Sequence, residues 1–176
     1  MADPRELKRI VEKKAAALTA DPDRGKASGH TLVRLGEGLT CSITDGPWRL
    51  TSDQPERAGG ADQGPNPGVL IRGALGSCLA MDIRTWAARL DVQIDAVTVE
   101  VTSHLDARGM LGIDDRVPAG FQRLRLRITL ESSASEAELR RVVARAEAHN
   151  PRLHDLTQAV FVERELSLRE PETEVA

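Results

Sequence analysis

Aromatic residues make up only 2% of this 176-residue chain, and tyrosine is absent. Any core must therefore be built from Leu, Val, Ile and Ala. Cysteine is as scarce: two residues, Cys41 and Cys78, are too few for a disulfide framework. Neither sign of charge dominates, since 24 basic against 27 acidic residues leave a net charge of -3. That balance lacks the basic signature of a nucleic-acid binder and gives no reason to expect an acidic membrane as partner. No apolar run reaches the roughly 20 residues that span a bilayer. Met1 to Ala20 has no apolar signal core, and Asp3, Glu6 and Glu12 argue against a transit peptide. The expectation is a cytoplasmic domain with one sizeable core and reduced thiols.

What is present is a strong helix signal around Cys78. Gly64-Pro65-Asn66-Pro67 leads into Gly-Val-Leu-Ile-Arg-Gly-Ala-Leu-Gly-Ser-Cys78-Leu-Ala-Met-Asp82. Asn66 is a good N-cap and Pro67 suits the first helical position. Gly73, Ala74, Gly76, Ser77 and Ala80 follow over three turns. Two interior glycines cost about 1 kcal/mol each. The spacing therefore predicts a buried helix to about Leu90, pressed against another backbone, and an obligate dimer to supply it.

The remaining pattern is mixed. Residues 5–18 carry an apolar stripe of Leu7, Ile10, Val11, Ala15 and Leu18, which predicts an amphipathic helix. Its other face is more basic than acidic, but its small apolar face suits packing on the dimer better than a membrane. Three short strands are expected at 30–35, 39–44 and 48–52, separated by glycine turns, and then a loop at 54–65. Val97–Val101 and Phe121–Glu131 alternate as half-buried strands around a long loop at 106–120. Ser135 with Glu138 forms a capping box for another long helix. Asn150-Pro151 repeats the cap-then-proline signature, and 159–168 reads as a last strand. Strands, helix, strands, helix and strand make an α+β domain.

These residues resemble the OsmC/Ohr family of bacterial hydroperoxide-detoxifying proteins. The carriers are Asp53-x-Pro55, Gly59-Gly60, Gly64-Pro65-x-Pro67, Ala74-Leu75-x-x-Cys78, Ala87-Ala88-Arg89-Leu90 and Pro118-x-Gly120-Phe121. Pro151-x-Leu153-His154-Asp155-Leu156 is a looser match. The resemblance covers residues 24–168, leaving 1–22 as a helical extension and 169–176 as an acidic tail. It implies an OsmC-like fold in which antiparallel sheets wrap two long central helices in an intertwined homodimer. It also implies two sites at the dimer interface and no cofactor. Family peroxidases attack the peroxide with one cysteine, resolve the sulfenic acid with a second, and use an Arg and a Glu to hold thiolate and substrate. The first cysteine corresponds to Cys78 and the Arg to Arg24. The second cysteine falls on Asn150 and the Glu on Gly68, so this chain departs from the pattern at both.

Two functions follow. In the first, Cys78 reduces a small hydrophobic organic hydroperoxide, and an external thiol resolves the product because no thiol stands at Asn150. In the second, a non-enzymatic dimer keeps the interface only as a small-ligand pocket or as core. The first needs a cation such as Arg24 or Arg72 near the sulfur, because the thiolate is the nucleophile. Asp82, four residues on, would oppose a thiolate if it pointed at Cys78. Cys41 alternates with Leu39 and Ile43 and reads as core. His149 and His154 flank a helix break and make a poor metal site. Arg123, Arg125 and Arg127 read as a solvated sheet face, paired with acids such as Glu100.

Overall fold

The computed structural model describes residues 3–168, so the acidic tail at 169–176 lies outside the described residues. The chain runs α1 (Pro4–Ala20), β1 (Leu32–Leu35), β2 (Cys41–Asp45), β3 (Trp48–Ser52), α2 (Pro67–Arg89) and β4 (Ala96–His104). It continues with α3 (Ala107–Met110), β5 (Arg123–Glu131), α4 (Glu136–Ala148) and α5 (Pro151–Thr157). Strands β1, β2 and β3 form an antiparallel meander, and β4 and β5 form a separate antiparallel ribbon. The α+β expectation holds.

The core sits where α2 crosses the ribbon and α4. Leu79, Ile83 and Ala87 of α2 meet Val142 and Ala146 of α4, with Val92 and Ile94 closing the end. The alternation in β5 places Leu126, Ile128 and Leu130 inward, against this cluster. Burying one such aliphatic side chain contributes roughly 1.5–3 kcal/mol. The cap chemistry reads as expected: Asn66 Oδ1 accepts from the Val69 amide at 3.1 Å, and Ser135 and Glu138 complete their capping box.

The meander is different. Val33 and Leu35 in β1 and Trp48 and Leu50 in β3 are all exposed. It is tied to the α2 entrance at one end, where Ser52 Oγ donates to the Pro65 carbonyl at 2.9 Å. The connecting loop is organised by Asp53, only 1% exposed. Its carboxylate accepts from the amides of Gln54, Ala61 and Gln63 and from the Thr40 hydroxyl. Burial alone would raise this carboxyl; the four donors outweigh it and hold it below the ordinary range. A depressed folded-state value means stability that is present above the unfolded value, near pH 4, and is lost as pH falls through the folded value. Acid unfolding followed by circular dichroism should therefore show a loss below about pH 4 that is shallower in Asp53→Asn than in the parent.

One expected element does not form. Residues 158–168 follow an irregular path, with Val160, Leu166 and Leu168 exposed and Phe161 86% exposed. A strand needs an edge to pair with. No backbone hydrogen bond joins 159–168 to another strand among the described residues. The alternating sequence is present, but no strand edge among the described residues pairs with it.

Candidate functional site

Cys78 lies in the fourth turn of α2 and is half-buried. The helix buries one side, through Leu75, Gly76, Leu79 and Ile83, and leaves another uncovered. On the uncovered side Ile71 is 45% and Met81 67% exposed, and Ala74 and Ser77 are also exposed. The expectation of a buried helix is thus corrected for the single chain, because among the described residues no other element covers that side. The two glycines divide the same way. A Cβ at Gly76 would meet Val101 Cγ2 at 3.2 Å, so Gly76 lets α2 approach its own ribbon. A Cβ at Gly73 would meet nothing within 4 Å.

Asp82 and Asn150 form the polar part of the site. Asn150 is 1% exposed at the junction of α4 and α5. Its Oδ1 accepts from the Leu153 amide at 2.7 Å, capping α5 as expected. Its Nδ2 donates to Asp82 Oδ2 at 2.7 Å. Asp82 is thus held by Asn150. Asp82 is also the only acidic residue in α2. The sequence reading missed this contact because the partners lie 68 residues apart. The one signal for it was that Asp82 shares a helical face with Cys78.

The other expected residues are scattered. Arg24 sits exposed in a 3-10 turn, Pro22–Gly25, that packs against α1; it makes no polar contact to α2 among the described residues. Arg72 Nη1 donates to Ser103 Oγ at 3.1 Å, which fastens α2 to β4. A Cβ on Gly68 would stand 3.3 Å from that same Arg72 Nη1. Cys41 pairs across the meander with Ser52 and Leu35 and is half-buried there. Both cysteines are free thiols.

Past Asp82, Trp86 carries the Arg89 guanidinium 4.2 Å and the Arg145 guanidinium 5.0 Å from its ring centre. His149 packs on Trp86 at 4.9 Å and donates from Nδ1 to the Arg145 carbonyl. These cations sit in the last turns of α2 and α4, where helix dipoles favour positive charge. Arg127 pairs with Glu100 across the ribbon at 3.4 Å, as a solvated sheet face should. Among the described residues no three His, Cys, Asp or Glu groups converge to hold a metal. No helix among them is long and apolar enough to cross a membrane.

A family profile described as OsmC-like protein matches residues 59–165. Among solved structures, an OsmC-like protein from Mycoplasma pneumoniae superposes with a TM-score of 0.66 at 16% identity, covering 76% of this chain and 90% of that one. An organic hydroperoxide resistance protein OsmC from Legionella pneumophila gives 0.51 at 20% identity, covering 74% and 89%. An organic hydroperoxide resistance protein from Elizabethkingia anophelis gives 0.55 at 15%, covering 72% and 85%. At such identities the likeness speaks to the fold. No curated protein sequence matches the chain closely enough to be called a relative.

Proposed function

The chain belongs to the OsmC-like protein family, and on that footing we propose that it reduces organic hydroperoxides through Cys78, with an external thiol as reductant. The observation that supports this most is the position of Cys78 at the margin of an uncovered apolar helix face. A second copy packed on that face would turn the margin into a cleft lined by Ile71, Ala74 and Met81, suited to a hydrophobic peroxide. We also propose the homodimer itself. Exposed Val33, Leu35, Trp48 and Leu50 of the meander, and Val160 and Phe161 beyond α5, add apolar area that a lone protomer leaves in water.

The chemistry is short. The Cys78 sulfur attacks the distal peroxide oxygen, the O–O bond breaks, and the thiol becomes a sulfenic acid while the alcohol leaves. With Asn150 in place of a resolving cysteine, an incoming thiol must complete the cycle. Arg24 is the proposed cation for the thiolate. Because it lies away from α2 in its own protomer, this assignment requires Arg24 of a second copy.

A non-enzymatic dimer is the second reading. It is favoured by the partnering of Asn150, whose side-chain nitrogen and oxygen both serve the fold. Stopped-flow mixing of reduced protein with cumene hydroperoxide, followed by sulfenic-acid trapping, separates the two. Trapped adduct on Cys78 at one equivalent of peroxide is expected, and Cys78→Ser should show none. An untouched thiol after prolonged excess peroxide would favour the second reading.

A further inference from the structure

We propose, resting on the peroxidase reading above, that Asp82 selects the external thiol that resolves oxidised Cys78, favouring one with a positive charge close to its sulfur. Three observations converge. Asp82 is the only carboxylate of α2 and stands one turn beyond Cys78 on the same face. Asn150, itself buried, engages only Asp82 Oδ2, and no hydrogen bond to Oδ1 exists among the described residues. The cations of α2 are already engaged, Arg84 by the Ile94 and Asp95 carbonyls, Arg72 by Ser103 and Arg89 by the Trp86 ring. The free oxygen is therefore an acceptor for a cation that approaches the sulfur.

The reach is suitable. Residues four apart on a helix hold their Cβ atoms about 6 Å apart. In a mixed disulfide between Cys78 and 2-aminoethanethiol, two carbons separate the second sulfur from the ammonium. That length is of the same order as the spacing of residues four apart on a helix, so an ammonium there is within range of the Asp82 carboxylate. The step balances. The thiol sulfur attacks the sulfenic sulfur, the S–O bond breaks, an S–S bond forms, and the thiol proton leaves with the hydroxyl as water. A second thiol molecule then attacks the mixed disulfide, regenerating the Cys78 thiol and releasing the small-molecule disulfide.

A single carboxylate at about 6 Å in watery surroundings gives a cation an advantage of about 3- to 10-fold over a neutral analogue. The test uses full-length protein carrying Cys41→Ser, with Cys78 blocked as the mixed disulfide with thionitrobenzoate. Release of the coloured thiol is timed with 2-aminoethanethiol, 2-mercaptoethanol and mercaptoacetate. Each rate is divided by that thiol's rate against the free reagent disulfide, which removes differences in intrinsic nucleophilicity. The expected order is cation, neutral, anion, with the spread shrinking at high salt. Asp82→Asn keeps an oxygen for Asn150 to bond and should bring the three normalised rates together, whereas Asp82→Glu should keep the order. Equal rates in the parent, an order that survives Asp82→Asn, or a Cys78 that takes no label in the folded protein would each overturn the proposal. The assay contains no peroxide. A protein inert to hydroperoxide that still shows the Asp82-dependent order would lose the peroxidase reading and keep the cation-selecting site.

Discussion

An Asn150→Cys variant is expected to form a disulfide with Cys78 when treated with one equivalent of cumene hydroperoxide. Asn150 Nδ2 lies 2.7 Å from Asp82, which is fixed one turn beyond Cys78. Position 150 therefore abuts the part of α2 that a resolving thiol must reach. A disulfide tolerates Cα separations of about 4.4–6.8 Å, so the bond forms only if α5 can bring position 150 that close to Cys78. The substitution has a cost. It removes the α5 cap, worth roughly 1 kcal/mol, and a hydrogen bond to a carboxylate, worth about 1.5–3 kcal/mol. The reduced variant should thus melt below the parent, and peroxide should restore much of the loss by closing a long loop. Peptide mapping by mass spectrometry would identify the bond. Adding Gly68→Glu places a carboxylate four residues before Arg72, whose guanidinium already lies 3.3 Å from the Cβ site. The double variant should turn over hydroperoxide with a dithiol faster than the parent. A folded single variant that stays fully reduced would show that the α5 junction has been remodelled, and would favour the non-enzymatic reading.

The second large effect separates two glycines, Gly60 in the loop before α2 and Gly73 within it. Gly60→Ala is expected to destabilise by about 3–5 kcal/mol, because nothing nearby is free to yield. A Cβ there would fall 1.8 Å from the Gln54 carbonyl oxygen and 2.8 Å from Asp53 Oδ1. Relieving the clash means moving the backbone that holds the Asp53 carboxylate, and with it the entrance to α2. Gly73→Ala meets no atom within 4 Å in the protomer, so helix propensity alone predicts a gain of about 1 kcal/mol. If a second copy lies against that side of α2, the added methyl should instead weaken the dimer. Thermal melts of both variants, with light scattering across a dilution series, check the pair. A Gly60→Ala protein melting with the parent would disprove the loop argument. A Gly73→Ala protein that melts higher and associates unchanged would remove Gly73 from the proposed interface.

Most of the secondary structure was legible because its signals are local. Asn66-Pro67, Ser135 with Glu138, and Asn150-Pro151 each mark a helix start within four residues, and each helix begins there. The alternation in β5 settled which side of the ribbon faces α2, since successive side chains point to opposite faces. The segment 159–168 carries an equally plain strand pattern and forms no strand. Alternation shows that a segment can pair; whether an edge is within reach depends on the rest of the fold.

The sequence by itself determined the class of domain, the boundaries of its main helices and the placement of Cys78 on the central one. Its resemblance to the family also raised Asn150 and Gly68 as departures, because a residue type at a motif position needs no coordinates to be read. Only the tertiary structure decided what the departures do. It put Asn150 against Asp82, left Arg24 in a turn packed on α1 without a polar contact to α2 among the described residues, and separated Gly76, packed on β4, from Gly73, which faces open space. Each of these is a contact between residues distant in sequence, or the lack of one. Such contacts are set by how the helix faces and the ribbon bury their apolar sides together, and no local pattern encodes that choice.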